Sequence, residues 1–249
     1  KKVAQKQAAY PSQVSYFHGC YVNYNNPQLG KDLIKVMNAF GIGVQLLEKE
    51  KCCGVALISN GLIKQAQKQA RTNINSIRKS VLEKKLPVIA TSSTCTFTIR
   101  DEYPHLLDVD NADVRENVEL ATRYIYRLLS QKKTKLTFKT GKKIKVAYHT
   151  PCHMEKLGWA YYSIELLKLI PNVELTVLDS QCCGIAGTYG FKKENYKTSQ
   201  DIGESLFKQI EALDIDYVVT DCETCKWQIE MSTSKRCEHP ISILANALE

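Results

Sequence analysis

Cysteine is the residue type in this sequence that points most clearly to a chemical function, because nine of the ten cysteines form a repeated pattern. A lone cysteine, a Cys-Cys-Gly triplet and a terminal motif occur twice, at offsets of 132, 130 and 130 residues. Three coincident offsets predict a tandem duplication. The first copy contains Cys20, Cys52, Cys53 and Cys95, and the second contains Cys152, Cys182, Cys183, Cys222 and Cys225.

The chemistry that suits this pattern is the binding of soft metals. Thiolates favour zinc, copper(I) and iron–sulfur clusters. Adjacent cysteines face one site only in a turn, and the glycine after each pair permits such a turn. Two neighbouring thiolates then suit a multinuclear cluster better than one tetrahedral zinc ion. All nine cysteines are therefore candidate metal and cofactor ligands.

The last motif differs between the two copies. The second copy has Cys222 and Cys225, whereas the first has Ser92 and Cys95. A serine hydroxyl is a poor ligand for soft metals, so Ser92 is not counted as one. We expect an iron–sulfur cluster in the second half, and either a cluster or a structural zinc ion in the first.

Other interpretations of the cysteines are weaker. The first thirteen residues lack the apolar segment of a signal peptide, so metal or redox chemistry is favoured over disulfides. A thioredoxin-type dithiol at Cys222 and Cys225 leaves both Cys-Cys-Gly triplets unexplained. Cys237 lies outside the repeat and is expected to be a buried structural thiol.

Three histidines and one tryptophan lie close to the cysteine motifs. His18 and His149 precede the first cysteine of each half, and either a hydrogen bond to sulfur or ordinary packing is consistent with that place. His153 has no counterpart in the first half and is expected to have no ligand role. Trp227 is expected to pack its helix rather than to shield a metal site.

Net charge says little about partners. The formal charge is +8, but no nucleic-acid motif accompanies it, and metal-bound thiolates would reduce it. Residues 131–145 contain seven lysines and no acidic residue. This segment is predicted to be a solvated linker, with a docking strip for lipid headgroups or an acidic partner as the alternative.

The elements that must position the cysteines also repeat. Each half shows the order strand–helix–strand–helix–strand, which predicts the α/β class with two tandem domains, each built on a mainly parallel sheet. Ligands gather at the carboxyl ends of such strands, where all the cysteine motifs are expected. A further helix is predicted over residues 116–129, with Val118 on its apolar stripe. The predicted division is a tail over 1–13, domains over 14–130 and 144–249, and a basic linker over 131–143.

The spacing of these cysteines resembles the duplicated cysteine-rich, or CCG, domain found in the B subunit of heterodisulfide reductase and in iron–sulfur subunits that serve glycolate oxidation and lactate utilisation. Longer strings, among them YHTPCHMEKLGW and LDSQCCGIAGTYGFKKENY, resemble the C subunits of bacterial anaerobic glycerol-3-phosphate dehydrogenases. This resemblance begins near residue 14 and continues to the end of the sequence.

The resemblance implies an iron–sulfur electron-transfer subunit with no dehydrogenase active site of its own. It would pass electrons from flavoprotein dehydrogenase subunits toward membrane quinone and hold the complex at the cytoplasmic face of the bacterial inner membrane. In CCG relatives five cysteines hold a noncubane 4Fe–4S cluster, and the second-half cysteines match them. Family members also carry two ferredoxin-like cysteine runs, which this sequence lacks, so it is expected to correspond to their C-terminal portion. The alternatives are a structural zinc-binding docking module and an iron–sulfur subunit of a related glycolate, lactate or heterodisulfide oxidoreductase.

Overall fold

A computed structural model describes residues 6–131, 136–179 and 181–249 and shows two four-stranded sheets. The first sheet has the order β2-β1-β3-β4 and the second has the order β6-β5-β7-β8, and every neighbouring pair is parallel. The strands are β1 (Ser12–Phe17), β2 (Ile42–Leu46), β3 (Val88–Ala90), β4 (Val118–Leu120), β5 (Ile144–Tyr148), β6 (Val173–Val177), β7 (Tyr217–Val219) and β8 (Arg236–Glu238). The α/β fold with two parallel sheets is thus confirmed.

Helices connect the parallel strands of each half, as crossover connections require. In the first half they are α1 (Gly19–Tyr24), α2 (Pro27–Ala39), α3 (Val55–Ile58), α4 (Ile63–Arg78), α5 (Ser93–Phe97), α6 (Tyr103–Leu106) and α7 (Ala121–Ser130). In the second half they are α8 (Cys152–Leu157), α9 (Ala160–Lys168), α10 (Tyr196–Glu211), α11 (Glu223–Ser232) and α12 (Pro240–Ala247). Short π-helical turns, Lys79–Glu83 and Thr98–Glu102, extend α4 and α5.

The prediction of a helix over residues 116–129 is wrong for its first turn. Val118 to Leu120 form the edge strand β4, which pairs with β3, and the helix begins only at Ala121. The free edge of β3 offers backbone hydrogen bonds that a helix at this place would leave unmade. Glu119, in the middle of β4, is buried and pairs with Arg123 and Arg127. Its polar side chain therefore does not face solvent, and the strand lacks the usual alternation of buried and exposed residues.

The two halves share one apolar core. Val14 and Leu33 of the first half pack in the same cluster as Val146, Leu166 and Leu244 of the second. Helix α12 belongs to the second half but packs mainly on α2 of the first half, so it joins the two sheets. The cysteine-bearing ends of the sheets are consequently held in a fixed relation.

Polar contacts reinforce this junction. The Ser242 hydroxyl donates to the buried carboxylate of Asp32 at 2.6 Å. The Lys35 ammonium donates to the carbonyl oxygens of Ala245 and Leu248 at 2.8 and 3.0 Å. These bonds satisfy the last carbonyls of α12 with a residue some 210 positions away in the chain.

Only part of the predicted basic linker can be compared with the structure, since residues 132–135 lie outside the described residues. Its later part contacts the C-terminal helix: Phe138 forms a bridge with Leu248, and the Lys139 amide donates to the Ala247 carbonyl at 2.9 Å. No helix within the described residues has both the length and the apolarity needed to cross a membrane.

Candidate metal centres

Every cysteine motif of the repeat follows the carboxyl end of a strand. In the first half Cys20 lies in α1 after β1, Cys52 and Cys53 follow β2, and Cys95 lies in α5 after β3. In the second half the corresponding elements are β5 with α8, β6 with its following loop, and β7 with α11. Because neighbouring parallel strands end at the same sheet edge, each set of cysteines is gathered at one place.

The second-half cysteines include three buried thiols, those of Cys183, Cys222 and Cys225. The sulfur atoms of Cys183 and Cys225 lie 3.3 Å apart, and the Cys222 sulfur accepts the backbone N–H of Cys225 at 3.5 Å. Cys152 and Cys182 are exposed at the rim. A hydrogen bond from Cys225 lowers the pKa of Cys222 to about 6, against the opposing effect of burial. Hydrogen bonds from Cys182 and Cys225 hold the pKa of Cys183 far below its usual range, and the same bonds raise the pKa of Cys182 and Cys225. Cys183 and Cys222 are therefore the two thiols of this group that favour the thiolate.

The first-half cysteines surround an open space instead. They line a cavity of about 130 Å³, with Cys53 and Cys95 buried, Cys52 half-buried and Cys20 exposed. Within the described residues, no three of these four sulfur atoms lie within 4.8 Å of one another. A hydrogen bond from Cys20 lowers the pKa of Cys52 to about 3.

Both groups are completed by residues of the other half. Tyr21, which follows Cys20, packs edge to face against Trp227 at a centroid distance of 5.1 Å. His153, which follows Cys152, stacks on Phe97 at 5.0 Å. In the repeat Phe97 corresponds to Trp227 and Tyr21 to His153, so the two contacts are related by the internal pseudo-symmetry. Trp227 lines the first-half cavity, contrary to the expectation that it only packs its own helix.

Hydroxyl groups also cross between the halves. The Thr94 hydroxyl lies 3.5 Å from the Cys222 sulfur and 3.0 Å from Nδ1 of His153. The backbone N–H of Ser93 donates to the Asp221 carbonyl at 2.9 Å. These contacts join the loops that carry the terminal motifs, which makes the two cysteine groups direct neighbours.

Ser92 has a partner of its own. Its hydroxyl donates to the Glu223 carboxylate at 2.7 Å and accepts the backbone N–H of Cys95 at 3.2 Å. Both residues are buried, and burial raises the pKa of Glu223 to about 8. The hydroxyl is therefore engaged with a carboxyl group of the second half.

The turn that delivers Cys20 is fixed by Glu50. The Glu50 carboxylate accepts the backbone N–H groups of Gly19 and His18 at 2.6 and 3.2 Å. Its other contact is Nδ1 of His18 at 3.3 Å. Burial raises the pKa of Glu50 to about 7. His18 is thus paired with a carboxylate, and sequence spacing gave no indication of this bond.

The prediction that His18 and His149 occupy equivalent positions is wrong. Tyr16 and Tyr148 occupy matching register positions on β1 and β5, so His149 corresponds to Phe17. His149 is buried, and its ring lies with the Cys183 and Cys225 sulfur atoms in a group of potential ligand atoms that are all within 4.8 Å of one another. Cys237 is fully buried on β8, outside both groups, as expected.

Comparison with known proteins identifies the family to which this duplicated arrangement belongs. The family described as CCG, cysteine-rich domain, matches residues 14–100 and 146–230, which is more than half of the chain. The chain belongs to the CCG family. Each match covers the first three strands of one sheet and its cysteine group, so the duplication in the sequence is a duplication of the CCG domain.

Several curated proteins are similar to this chain over both CCG domains. The C subunit of the anaerobic glycerol-3-phosphate dehydrogenase of Escherichia coli (strain K12) is 67% identical over 248 residues, which cover 100% of this chain and 62% of that protein. An uncharacterized iron-sulfur protein of Methanocaldococcus jannaschii is 28% identical over 92% of this chain and 45% of its own length. The D subunit of the Methanosarcina mazei dihydromethanophenazine:CoB--CoM heterodisulfide reductase is 27% identical over 95% of this chain and 59% of its own length. The chain thus spans between about half and two thirds of these relatives.

Proposed function

We propose that this chain is an iron–sulfur electron-transfer subunit that serves a flavoprotein glycerol-3-phosphate dehydrogenase. The main support for this proposal is that nine cysteines lie in two adjacent groups at the strand ends of duplicated CCG domains. The 67% identity with the C subunit of such a dehydrogenase supports the choice of complex. Subunits outside this chain would oxidise glycerol 3-phosphate.

The donor set of the second half fits a multinuclear cluster. Five thiol groups exceed the four positions of a tetrahedral zinc ion. The adjacent pair Cys182 and Cys183 places one exposed and one buried sulfur on the same turn, which suits two different metal atoms. We therefore assign Cys152, Cys182, Cys183, Cys222 and Cys225 as ligands of a 4Fe–4S cluster, of the noncubane type that the family resemblance implies.

The first half also fits a cluster better than zinc. Four sulfur atoms bound to one zinc ion at about 2.3 Å lie only about 3.8 Å apart. Within the described residues, no three of the sulfur atoms of Cys20, Cys52, Cys53 and Cys95 meet even a 4.8 Å limit, and the cavity of about 130 Å³ leaves room for a larger group between them. The zinc-binding docking module remains the rival, since four thiols and a non-ligating Ser92 satisfy zinc by number alone.

When bound, iron–sulfur clusters accept and donate single electrons. The protein's own contribution is to position the thiolates, to bury part of each group and to bring the two groups together. Buried Cys53, Cys95, Cys183 and Cys225 keep water from one side of each group. The Thr94 contact with Cys222 joins them across the halves.

Membrane quinone is the proposed electron acceptor, and the cytoplasmic face of the bacterial inner membrane is the proposed location. The described lysines of the basic segment, among them Lys142 and Lys143, are exposed and could contact anionic headgroups. Binding to vesicles that contain anionic lipid, compared with neutral vesicles, tests this part separately. Equal binding to both vesicle types would contradict it.

Metal analysis of anaerobically purified full-length protein tests the central proposal. We expect iron and acid-labile sulfide, together with an electron paramagnetic resonance signal after reduction. Zinc without iron or sulfide would establish the docking module instead.

The ligand assignment predicts the effect of Cys183→Ala. This variant should lose the second-half cluster and the corresponding share of iron, because a buried central position of the thiolate group is removed. Cys237→Ala is the matched control: this thiol is equally buried but outside the group, so iron content should stay at the wild-type level. Equal iron in both variants would show that Cys183 is not a ligand.

A further inference from the structure

His149 is a buried imidazole whose bonding is unexplained by the fold. It follows β5, where its backbone N–H donates to the Val219 carbonyl at 2.9 Å. The residue is 1% exposed, and neither ring nitrogen has a hydrogen-bond partner within the described residues. A buried polar group without a partner destabilises the fold, so a role for the ring is to be expected.

The ring faces the centre of the second cysteine group. A ring nitrogen and the sulfur atoms of Cys183 and Cys225 all lie within 4.8 Å of one another. Thiolate sulfur accepts hydrogen bonds and donates none, whereas a neutral imidazole always carries one N–H. The two thiolates are therefore natural acceptors for this ring.

The first half has no such donor among its described residues. Phe17 occupies the corresponding position, is 1% exposed and packs in the apolar cluster that contains Cys53 and Cys95. His18, the nearest histidine there, is held by Glu50 and the Gly19 carbonyl. The two cysteine groups thus differ in polarity as well as in number of thiols.

We propose that His149 donates a ring N–H to the thiolates of Cys183 and Cys225 and raises the reduction potential of the centre that they hold. A hydrogen bond to sulfur draws charge from the metal site and favours its reduced, more negative state. His149 is accordingly a positioning residue that gives the second centre a higher potential than it would have with phenylalanine. The inference rests on the proposed iron–sulfur function.

The test uses three variants of the full-length protein, purified without oxygen. His149→Phe copies the first half, and His149→Gln retains an N–H donor. His105→Phe is the control, because that ring lies exposed on α6, outside both cysteine groups. Iron and sulfide are counted, and a redox titration followed by electron paramagnetic resonance gives the potential of the centre whose signal Cys183→Ala removes.

We expect unchanged iron, a more negative potential in His149→Phe, a smaller shift in His149→Gln and none in His105→Phe. An unchanged potential in His149→Phe with the cluster intact would overturn the inference and leave the proposed function standing. If His149→Phe does not fold, the potential of His149→Gln and the nitrogen hyperfine coupling of the wild type still test the inference. Strong coupling of a directly bound nitrogen would show a metal ligand instead of a donor, and zinc in place of iron would remove the proposed function itself.

Discussion

At the scale of single residues, the difference between four and five thiols is accounted for by a pair of buried side chains. Ser92 stands where the repeat has Cys222, and its hydroxyl bonds to Glu223 from the other half. A carboxyl group at this depth needs a donor, because an unpartnered one would cost about 1–3 kcal/mol. The serine therefore serves the contact between the halves, and we expect it not to bind the metal.

Ser92→Ala tests this division of roles. The variant should lower the free energy of unfolding by about 1–3 kcal/mol, because Glu223 loses its donor, while iron content stays at the wild-type level. Denaturant unfolding and iron analysis measure the two effects. Cys95→Ala is the companion variant and should lose first-half iron. Loss of iron in Ser92→Ala would identify the hydroxyl as a ligand after all.

At the scale of elements, each Cys-Cys-Gly turn depends on a glycine in the left-handed region, but the two turns are packed differently. Gly54 has φ 99° and Gly184 has φ 84°. A methyl group on Gly54 would meet only Ala66, whose side chain lies at 3.6 Å, whereas one on Gly184 would overlap the Ser199 carbonyl oxygen in α10. The Ser199 hydroxyl also donates to the Gly184 carbonyl at 2.9 Å, so turn and helix are locked together.

The two glycines should therefore respond unequally to alanine. Gly54→Ala is expected to cost about 1–2 kcal/mol of backbone strain. Gly184→Ala adds roughly 1–3 kcal/mol of overpacking, because a backbone carbonyl cannot move aside as a side chain can. Denaturant unfolding gives both costs, and iron content of the second group should fall only in Gly184→Ala. Equal costs would contradict the tighter packing of α10 against the second turn.

At the scale of the whole molecule, the halves behave as one packed body. They share an apolar core, α12 of the second half lies on α2 of the first, and each cysteine group receives an aromatic ring from the opposite half. A duplicated domain of this kind places its two cysteine groups side by side without a separate partner. Local opening of one half would consequently disturb both groups.

The coupling between the two halves can be measured at the hydrogen bond between Asp32 and Ser242. A double-mutant cycle with Asp32→Ala and Ser242→Ala should give a coupling of about 1.5–3 kcal/mol, because a hydroxyl donates to a buried carboxylate. Thermal unfolding should show one transition in the wild type. The exposed pair Lys197 and Asp201 within α10 is the control and should show no measurable coupling. Two separate transitions, with no coupling at the junction, would mean that the halves unfold independently.

The sequence by itself determined the features that depend on local pattern and on spacing along the chain. The duplication, the parallel α/β sheets and the placement of the cysteines at strand ends follow from repeated motifs and from the geometry of parallel sheets. The apolar pattern was also sufficient to predict the strand–helix–strand–helix–strand order of each half.

The tertiary structure decided what depends on partners distant in the chain. Residues 118–120 form a strand because β3 offers an edge, although their pattern continues the helix that follows. The Ser92 bond to Glu223, the crossed aromatic pairs and the orientation of His149 toward Cys183 each join segments that are far apart in sequence. Such contacts follow from how two sheets pack against each other, and no spacing rule within one half contains that information.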